Sequence, residues 1–447
     1  VKLSELARRM SGELVGPDAE AGEFALDSRD VRPGSVFVAI KGERVDGHTF
    51  AAQAIKDGAC AVIAEAEIAG PHIRVSSVVE ALANYGRSLR AEFHGPVIGI
   101  TGSNGKTSSK EMLAAAISPL GPILKSEGNQ NTEYTSPLLW QRRTPETAAA
   151  IVEMGMRGPG QIAHLAGIAR PTHGLITMIG TAHIEMLGTR EGIARAKGEL
   201  VKALPETGIA FLNSDDEFTP MLSGMTNARV QTFGFALGSD LQIVGYRAIS
   251  LQEMELRVAY EGQTESVTLP TVGRHQSQNA AGALLVAVNL GLSLSAATQA
   301  LRTNFIAPPM RMEIRQYRGA ELLVDTYNAS PDSTVAALVT FAEVPCEGRR
   351  IVVLGEMKEL GTMTELGHRR VGQQLAETPF DRVVLIGDPT RFMAEEAIMR
   401  GVRASCVMMA TSMDDVRREL DQVQTGDRVL IKGSRALALE QLLEVEV

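Results

Sequence analysis

The chain is poor in cysteine. Cys60, Cys346 and Cys406 are its only three among 447 residues, and they lie far apart. Such spacing offers neither a CxxC pair nor a cysteine metal set, and an odd, sparse complement fits a reducing compartment. No apolar run reaches the roughly 20 residues that a membrane-spanning helix needs. The opening residues lack the basic-then-apolar plan of a signal peptide. There is no charged tail, no internal repeat and no low-complexity tract. The formal net charge of −9 is spread along the chain, which argues against a nucleic-acid partner and requires local cations wherever an anion is bound. What remains is the composition of a globular protein, 44% hydrophobic and 22% charged. Its length calls for two to four domains. A monomeric cytoplasmic enzyme is the expectation.

One stretch organises the rest. Pro96 to Ile100 reads as a short apolar strand, followed by Thr101-Gly102-Ser103-Asn104-Gly105-Lys106-Thr107. A helix-period run then places Met112, Leu113, Ala116, Ile117 and Leu120 on one face. Strand, glycine turn and helix are what a phosphate loop requires. Glycines let backbone N–H groups close around phosphates, the helix N-terminus adds partial positive charge, and Lys106 adds a full one. The Thr107 hydroxyl stands where it can ligate magnesium. Only two residues separate Gly102 from Gly105, so this is a shortened loop, and Gly102, Ser103, Asn104, Gly105, Lys106, Thr107 and Ser108 are its expected nucleotide contacts. A glycine turn with a surface lysine is the plainer alternative.

Before this loop, residues 1–94 read as a small α/β unit. Helix Leu3 to Met10 leads to strands at Glu23 to Leu26 and Ser35 to Ile40. Helix Phe50 to Asp57, strand Ala61 to Ala64 and helix Val78 to Glu92 follow. Two polar loops sit at strand ends: Asp27-Ser28-Arg29, and Lys41-Gly42-Glu43-Arg44-Val45-Asp46-Gly47-His48. Ligands of α/β sheets are often held in such places. Arg29, Lys41 and His48 suit a diphosphate, and Asp46 suits a sugar or base donor; taken alone, these residues read slightly more readily as solvated turns with structural salt bridges.

The second unit, 95–307, alternates strands and helices: strands at Ala148 to Val152, Gly174 to Met178 and Ile209 to Asn213, helices at Gly160 to Ala169 and Glu191 to Leu204. That pattern implies a parallel sheet, with Ile209 to Asn213 closing the series. Beyond it, Glu253 to Tyr260 and Ser266 to Leu269 suggest an antiparallel hairpin or small side sheet. Pro308-Pro309 opens the third unit, 308–447. Apolar strands at Glu321 to Asp325, Arg350 to Leu354, Arg382 to Ile386, Ser405 to Met409 and Arg428 to Ile431 alternate there with helices, as in a doubly wound, Rossmann-like domain. No Gly-x-Gly-x-x-Gly follows its first strand, so a dinucleotide of its own is not expected. The predicted class is α/β with three domains.

Three polar residues stand at or just beyond the carboxyl ends of central strands, which face the nucleotide. Glu153 ends an aliphatic strand and suits a magnesium ligand. His183 alone reads more readily as a structural loop histidine than as a ligand, because magnesium prefers oxygen. Lys197 alone reads as a surface lysine.

The chain resembles the Mur ligase family, ATP-dependent amide-forming enzymes of peptidoglycan precursor synthesis. Central to the resemblance are the phosphate loop, Glu153-Met154-Gly155, Ala182-His183 with Ala196-Lys197-Gly198-Glu199, and Gly273-Arg274-His275 with Asn279. The two N-terminal loops and Lys432-Gly433-Ser434-Arg435 add to it. So do Asp325-Thr326-Tyr327-Asn328-Ala329-Ser330-Pro331-Asp332-Ser333 and Leu354-Gly355-Glu356-Met357-Lys358-Glu359-Leu360-Gly361. The last two stretches point, within the family, to a member that takes UDP-N-acetylmuramoyl-tripeptide and D-alanyl-D-alanine.

The resemblance implies three domains binding, in order, the UDP end of the precursor, ATP, and the incoming amine. It implies ATP and two Mg²⁺, with Thr107, Glu153, His183 and a carbamylated Lys197 around the metals. Lys106, Arg311 and Asp325 complete the catalytic set. Asn279, Arg311, Tyr327 and Asn328 would position the nucleotide. Ser28, Arg29, Lys41, Asp46, His48, Asn129, Asn131, Asn328, Ser330 and Asp332 would meet substrates. The chain departs from the family pattern at Thr132, Tyr134-Thr135, Met178, Met310 and Ser330, all near substrate-facing loops.

Overall fold

The computed structural model describes residues 1–42 and 45–443. Glu43 and Arg44, within the second N-terminal loop, lie outside the described residues. Three sheets carry the architecture, an α/β arrangement as expected. By contacts the chain divides into two compact units. One comprises Val1–Gly99, Leu124–Met156 and Gly160–Pro171; the other comprises Ile100–Ile123, Arg157–Pro159 and Thr172–Val447.

In the first unit, a five-stranded sheet runs in the order Glu13–Val15, His72–Arg74, Ala61–Ala64, Val36–Val38, Phe24–Ala25. All pairings are parallel except the first. Its inner strands Val36–Val38 and Ala61–Ala64 are wholly apolar and buried because both their faces are covered. Leu3 and Leu6 of the first helix, with Met10 at its C-cap, join Val36, Val38, Ile63 and Ile73 in one core layer; Phe37, Val62 and Ala54 form the other. Helix Val78–Arg90 starts on Ser77, whose hydroxyl accepts the Glu80 amide at 3.3 Å, and ends with Arg87 and Arg90, favourably placed for the helix dipole. Tyr134 and Leu138 pack against the first of these layers, so the residue departing from the family pattern at 134 is a core contact of this unit.

The nine-stranded sheet is ordered Gln263–Leu269, Met254–Tyr260, Leu241–Ala248, Arg229–Gly234, Ile209–Asn213, His173–Ile176, Val97–Thr101, Ala149–Glu153, Ile123–Lys125. One expectation is corrected here: Ile209–Asn213 does not close the parallel series, because Arg229–Gly234 continues it. The expected antiparallel hairpin forms between Met254–Tyr260 and Gln263–Leu269, and it belongs to the same sheet, because Leu241–Ala248 pairs in parallel with Arg229–Gly234 at Phe233 and Leu241 and antiparallel with Met254–Tyr260. Arg229-Val230-Gln231-Thr232 alternates too weakly to read as a strand, and only its neighbours make it one. The phosphate-loop helix also stops earlier than its periodicity suggests. It spans Lys106–Ala116, and Leu120 lies in a separate 3₁₀ turn, Ser118–Leu120, because Pro119 cannot continue the α-helix.

The third sheet is ordered Glu313–Tyr317, Ala320–Asp325, Arg428–Lys432, Arg350–Gly355, Arg382–Ile386, Val407–Ala410, parallel except for its first pair. Arg428–Lys432, last in the chain, inserts between the first two parallel strands. The carboxyl ends of Ala320–Asp325, Arg428–Lys432 and Arg350–Gly355 therefore lie side by side, where ligands of doubly wound sheets bind.

Candidate active site

The phosphate loop is held by the segment just past the strand His173–Ile176. Ser103 donates its amide to the Met178 carbonyl at 2.9 Å, and its hydroxyl accepts the Gly180 amide at 2.9 Å. The Thr177 hydroxyl donates to the Asn104 carbonyl at 2.5 Å. These bonds leave no room for side chains at the glycines. A Cβ on Gly102 would overlap the Thr177 hydroxyl, and one on Gly105, where φ is +83°, would stand 2.5 Å from Asn279 Oδ1. Gly105 is the N-cap of the helix and, lacking a side chain, cannot cap it, an arrangement suited to an anionic ligand. Thr107 and Ser108 are buried in the helix's first turn.

Two lysines converge on one carbonyl. Lys106 Nζ donates to Gly102 O at 2.8 Å and Lys197 Nζ donates to the same oxygen at 3.0 Å. Lys197 is 1% exposed, which removes the surface-lysine reading. Burial, and then the charge of Lys106 beside it, push its ammonium well below the ordinary lysine value.

Glu153 ends the strand Ala149–Glu153 and is 2% exposed. Its Oε1 accepts from Asn131 Nδ2 at 2.9 Å and its amide donates to Ser126 Oγ at 3.0 Å. Asn131 is thereby tied to the Glu153 turn, which also donates the Gly155 amide to the Asn131 carbonyl; Asn129 stays exposed. His183 has a left-handed backbone, φ +65°, and its Nδ1 lies 2.9 Å from Glu359 Oε2. That bond holds the Glu359 carboxyl below its usual range. No role for Glu359 follows from the sequence beyond its place in a motif. Among the described residues no three His, Cys, Asp or Glu side chains form a ready metal cage.

Asn279 packs behind the loop, accepting from Ser109 Oγ at 3.1 Å and donating to Gln276 Oε1 at 3.0 Å. Asp332 Oδ2 takes both the amide and the hydroxyl of Thr181 at 2.7 Å, while Oδ1 takes Arg370 at 2.6 Å. Burial opposes its charge, but these donors win and keep the carboxyl below its ordinary value. Both oxygens are thus committed to protein partners. Ser330 accepts the Ser333 amide at 3.3 Å as a helix cap, and its hydroxyl lies 3.4 Å from Asn104 Nδ2. Arg311 stacks 4.0 Å from the centre of the Tyr327 ring, between Met310 and Met312, both left-handed at φ +56° and +58°. Asp325 Oδ2 accepts from Lys432 Nζ at 2.6 Å, and the same ammonium donates to the carbonyl of the exposed Asn328 at 2.9 Å.

Other residues that sequence reasoning missed act from behind. Asp216 accepts the Ile179 amide at 2.5 Å and Arg190 donates to the Ile179 carbonyl at 2.9 Å, which clamps the loop leading to His183. Each reads as an ordinary surface charge, since only the fold brings it to that loop.

The N-terminal loops are more self-contained than their charge suggests. Arg29, 86% exposed, is paired with Asp27, whose carboxyl it pulls down to about 2; Ser28 opens the short 3₁₀ turn that follows. His48 Nδ1 lies 2.7 Å from Asp46 and its Nε2 accepts the Glu65 amide at 3.0 Å, so both ring nitrogens are used and Nδ1 carries the proton. Lys41 is exposed and bridges through its backbone to Asp46.

A phosphate loop on a central α/β sheet, preceded by a small α/β sheet and followed by a doubly wound one, defines a nucleotide-using enzyme of three parts. The chain belongs to the Mur ligase family. The family's models match as the Mur ligase family, catalytic domain, over residues 24–91, the Mur ligase middle domain over 100–287, and the Mur ligase, glutamate ligase domain over 310–435. UDP-N-acetylmuramoyl-tripeptide–D-alanyl-D-alanine ligase of Escherichia coli is 33% identical over 447 residues, covering 99% of this chain and 97% of its own. The crystal structure of MurF from Acinetobacter baumannii superimposes with a TM-score of 0.89 at 29% identity over 98% of this chain and 97% of that one. That of MurF from Thermotoga maritima in complex with ADP gives 0.82 at 31% identity, over 94% and 96%. No helix among the described residues is long and apolar enough to cross a membrane.

Proposed function

We propose that the chain is an ATP-dependent amide ligase that joins D-alanyl-D-alanine to the terminal carboxylate of UDP-N-acetylmuramoyl-tripeptide. The terminal carboxylate oxygen attacks the γ-phosphorus of ATP and ADP leaves. The amine of the dipeptide, having lost a proton, attacks the acyl carbon, and the tetrahedral intermediate expels phosphate. The first step brings anion to anion, so the site must supply positive charge. The observation that carries this reading is Lys106, whose Nζ lies in the phosphate loop against the Gly102 carbonyl and supplies that charge, with the buried Lys197 on the same oxygen suited to a metal-facing role instead.

In this reading Lys106 offsets charge on the transferring phosphoryl group, and the loop amides orient it. Thr107, Glu153 and His183 would hold two Mg²⁺, together with Lys197 once its neutral amine has been carbamylated by CO₂. Magnesium, when bound, offsets the charge of the triphosphate. Asn279, Arg311, Tyr327 and Asn328 orient the nucleotide, and Asp325 reaches the site from the third domain. Asn129, Asn131, Ser330 and Asp332 shape the substrate side; for Ser330 and Asp332 this is done by holding loops, because their polar atoms are spent on caps and bridges. Ser28, Arg29, Lys41, Asp46 and His48 belong to a UDP-binding domain of residues 1–94. Residues 95–307 bind ATP and 308–447 receive the amine.

The test is phosphate release with UDP-muramoyl-tripeptide, ATP and a panel of amines. D-Alanyl-D-alanine is expected to be used far better than any single amino acid. Preference for free D-alanine or an acidic amino acid would overturn the dipeptide assignment and assign the departures at Thr132, Tyr134 and Ser330 to a changed specificity.

A further inference from the structure

Lys432 is the last residue of the strand Arg428–Lys432, directly across a parallel pairing from Asp325, the last residue of its own strand. It is 2% exposed. A buried ammonium is costly unless it is paired and hydrogen-bonded. Here Asp325 Oδ2 and the Asn328 carbonyl satisfy it at 2.6 and 2.9 Å. Such a pair adds little net stability over well-packed apolar side chains of the same volume, so stability alone is a weak reason for its presence. Its geometry supplies a stronger one. The ammonium reaches both ends of the turn 325–328, which carries the Tyr327 ring stacked on Arg311.

We propose that Lys432 is a positioning residue for the nucleotide. It fixes Asp325 by one carboxylate oxygen and Asn328 by its carbonyl, so that the second Asp325 oxygen and the Tyr327 ring are presented to ATP. The inference rests on the reading above, in which Asp325, Tyr327 and Asn328 face the nucleotide. Loss of the anchor lets the turn shift, and a displacement on the order of 1 Å can cost about 10²-fold in rate.

The experiment compares Lys432→Met, Asp325→Asn and the double variant in the full chain. KM and kcat are measured for ATP and for the UDP-precursor, ADP affinity by calorimetry, and Tm as a check on folding. Lys432→Met is expected to lower kcat/KM for ATP by about 10²-fold and to weaken ADP binding, with the precursor KM near the wild-type value. A core role alone would move both substrates together. Because the two residues act as one unit, the double variant is expected to be no worse for ATP than the weaker single one. The double variant also removes both buried charges, so it carries the test if Lys432→Met alone does not fold. Normal ATP kinetics in Lys432→Met beside an impaired Asp325→Asn would overturn the proposal for Lys432 only. So would a double variant in which the precursor KM rises as much as that for ATP. Normal kinetics in Asp325→Asn would overturn the site role of Asp325 itself.

Discussion

At the residue scale, the two lysines that meet at the Gly102 carbonyl make separable predictions. Lys106→Ala is expected to leave fold and Tm intact and to lower phosphate release by at least about 10² to 10³, the cost of losing one preorganised charge contact. Retention of a tenth of wild-type activity would remove Lys106 from the transferring phosphate. Lys197→Ala is expected to be nearly inactive and to be partly restored by short carboxylates such as acetate, which supply the oxygens a carbamate would have supplied. Stripping CO₂ at mildly acidic pH should slow the wild type, and bicarbonate should return the rate. The direction follows from the environment. Burial and Lys106 both disfavour the ammonium of Lys197, and only the neutral amine reacts with CO₂. Near-normal turnover in Lys197→Ala would make this a structural lysine.

At the scale of elements, the helix Pro331–Glu343 begins with a reciprocal capping box between Ser330 and Ser333. Ser330→Ala should therefore cost about 1 kcal/mol of stability through the lost cap, seen as a lower midpoint in denaturant unfolding. A variant with unchanged stability and altered amine preference would move Ser330 from the helix cap to the substrate. The N-terminal loops give the converse case. Arg29→Ala and His48→Ala are expected to raise the KM for the UDP-precursor and leave that for ATP nearly unchanged. His48 would act through the loop it pins between Asp46 and the Glu65 amide. Equal effects on both substrates would assign these loops to general architecture.

For the whole molecule, stability carries a pH signature from His275. Burial drives this imidazole from its ordinary 6.5 down to about 4; Asp325 opposes the shift and Lys432 adds to it. Above pH 6.5 the side chain is neutral both folded and unfolded, and contributes no slope. Between 6.5 and about 4 the unfolded chain takes up a proton that the native state refuses, so stability falls as pH falls. Tm is expected to decline across this window, and His275→Gln to decline less. Equal slopes in both proteins would place the acid sensitivity in the carboxylates instead.

The sequence by itself determined the class of fold and the place of the phosphate loop in it. Apolar strands, glycine turns and amphipathic helices are local signals, written in residues close together in the chain. Val97–Thr101 with the turn after it, Glu153 at a strand end, and the strands Ala61–Ala64, Ile209–Asn213 and Arg382–Ile386 could all be read this way. Tertiary structure decided what depends on distant partners. Arg229–Gly234 is a strand because of its neighbours, and Lys197 is buried because the fold brings it to Gly102, 95 residues away in sequence. Asp332 and Ser330, plausible as substrate contacts from their loop, are committed to Thr181, Arg370 and a helix cap. Lys432 looks like the polar end of an apolar strand until the strand order sets it beside Asp325. Burial and hydrogen-bond partnership are properties of the packed chain, and for charged residues those two quantities decide the role.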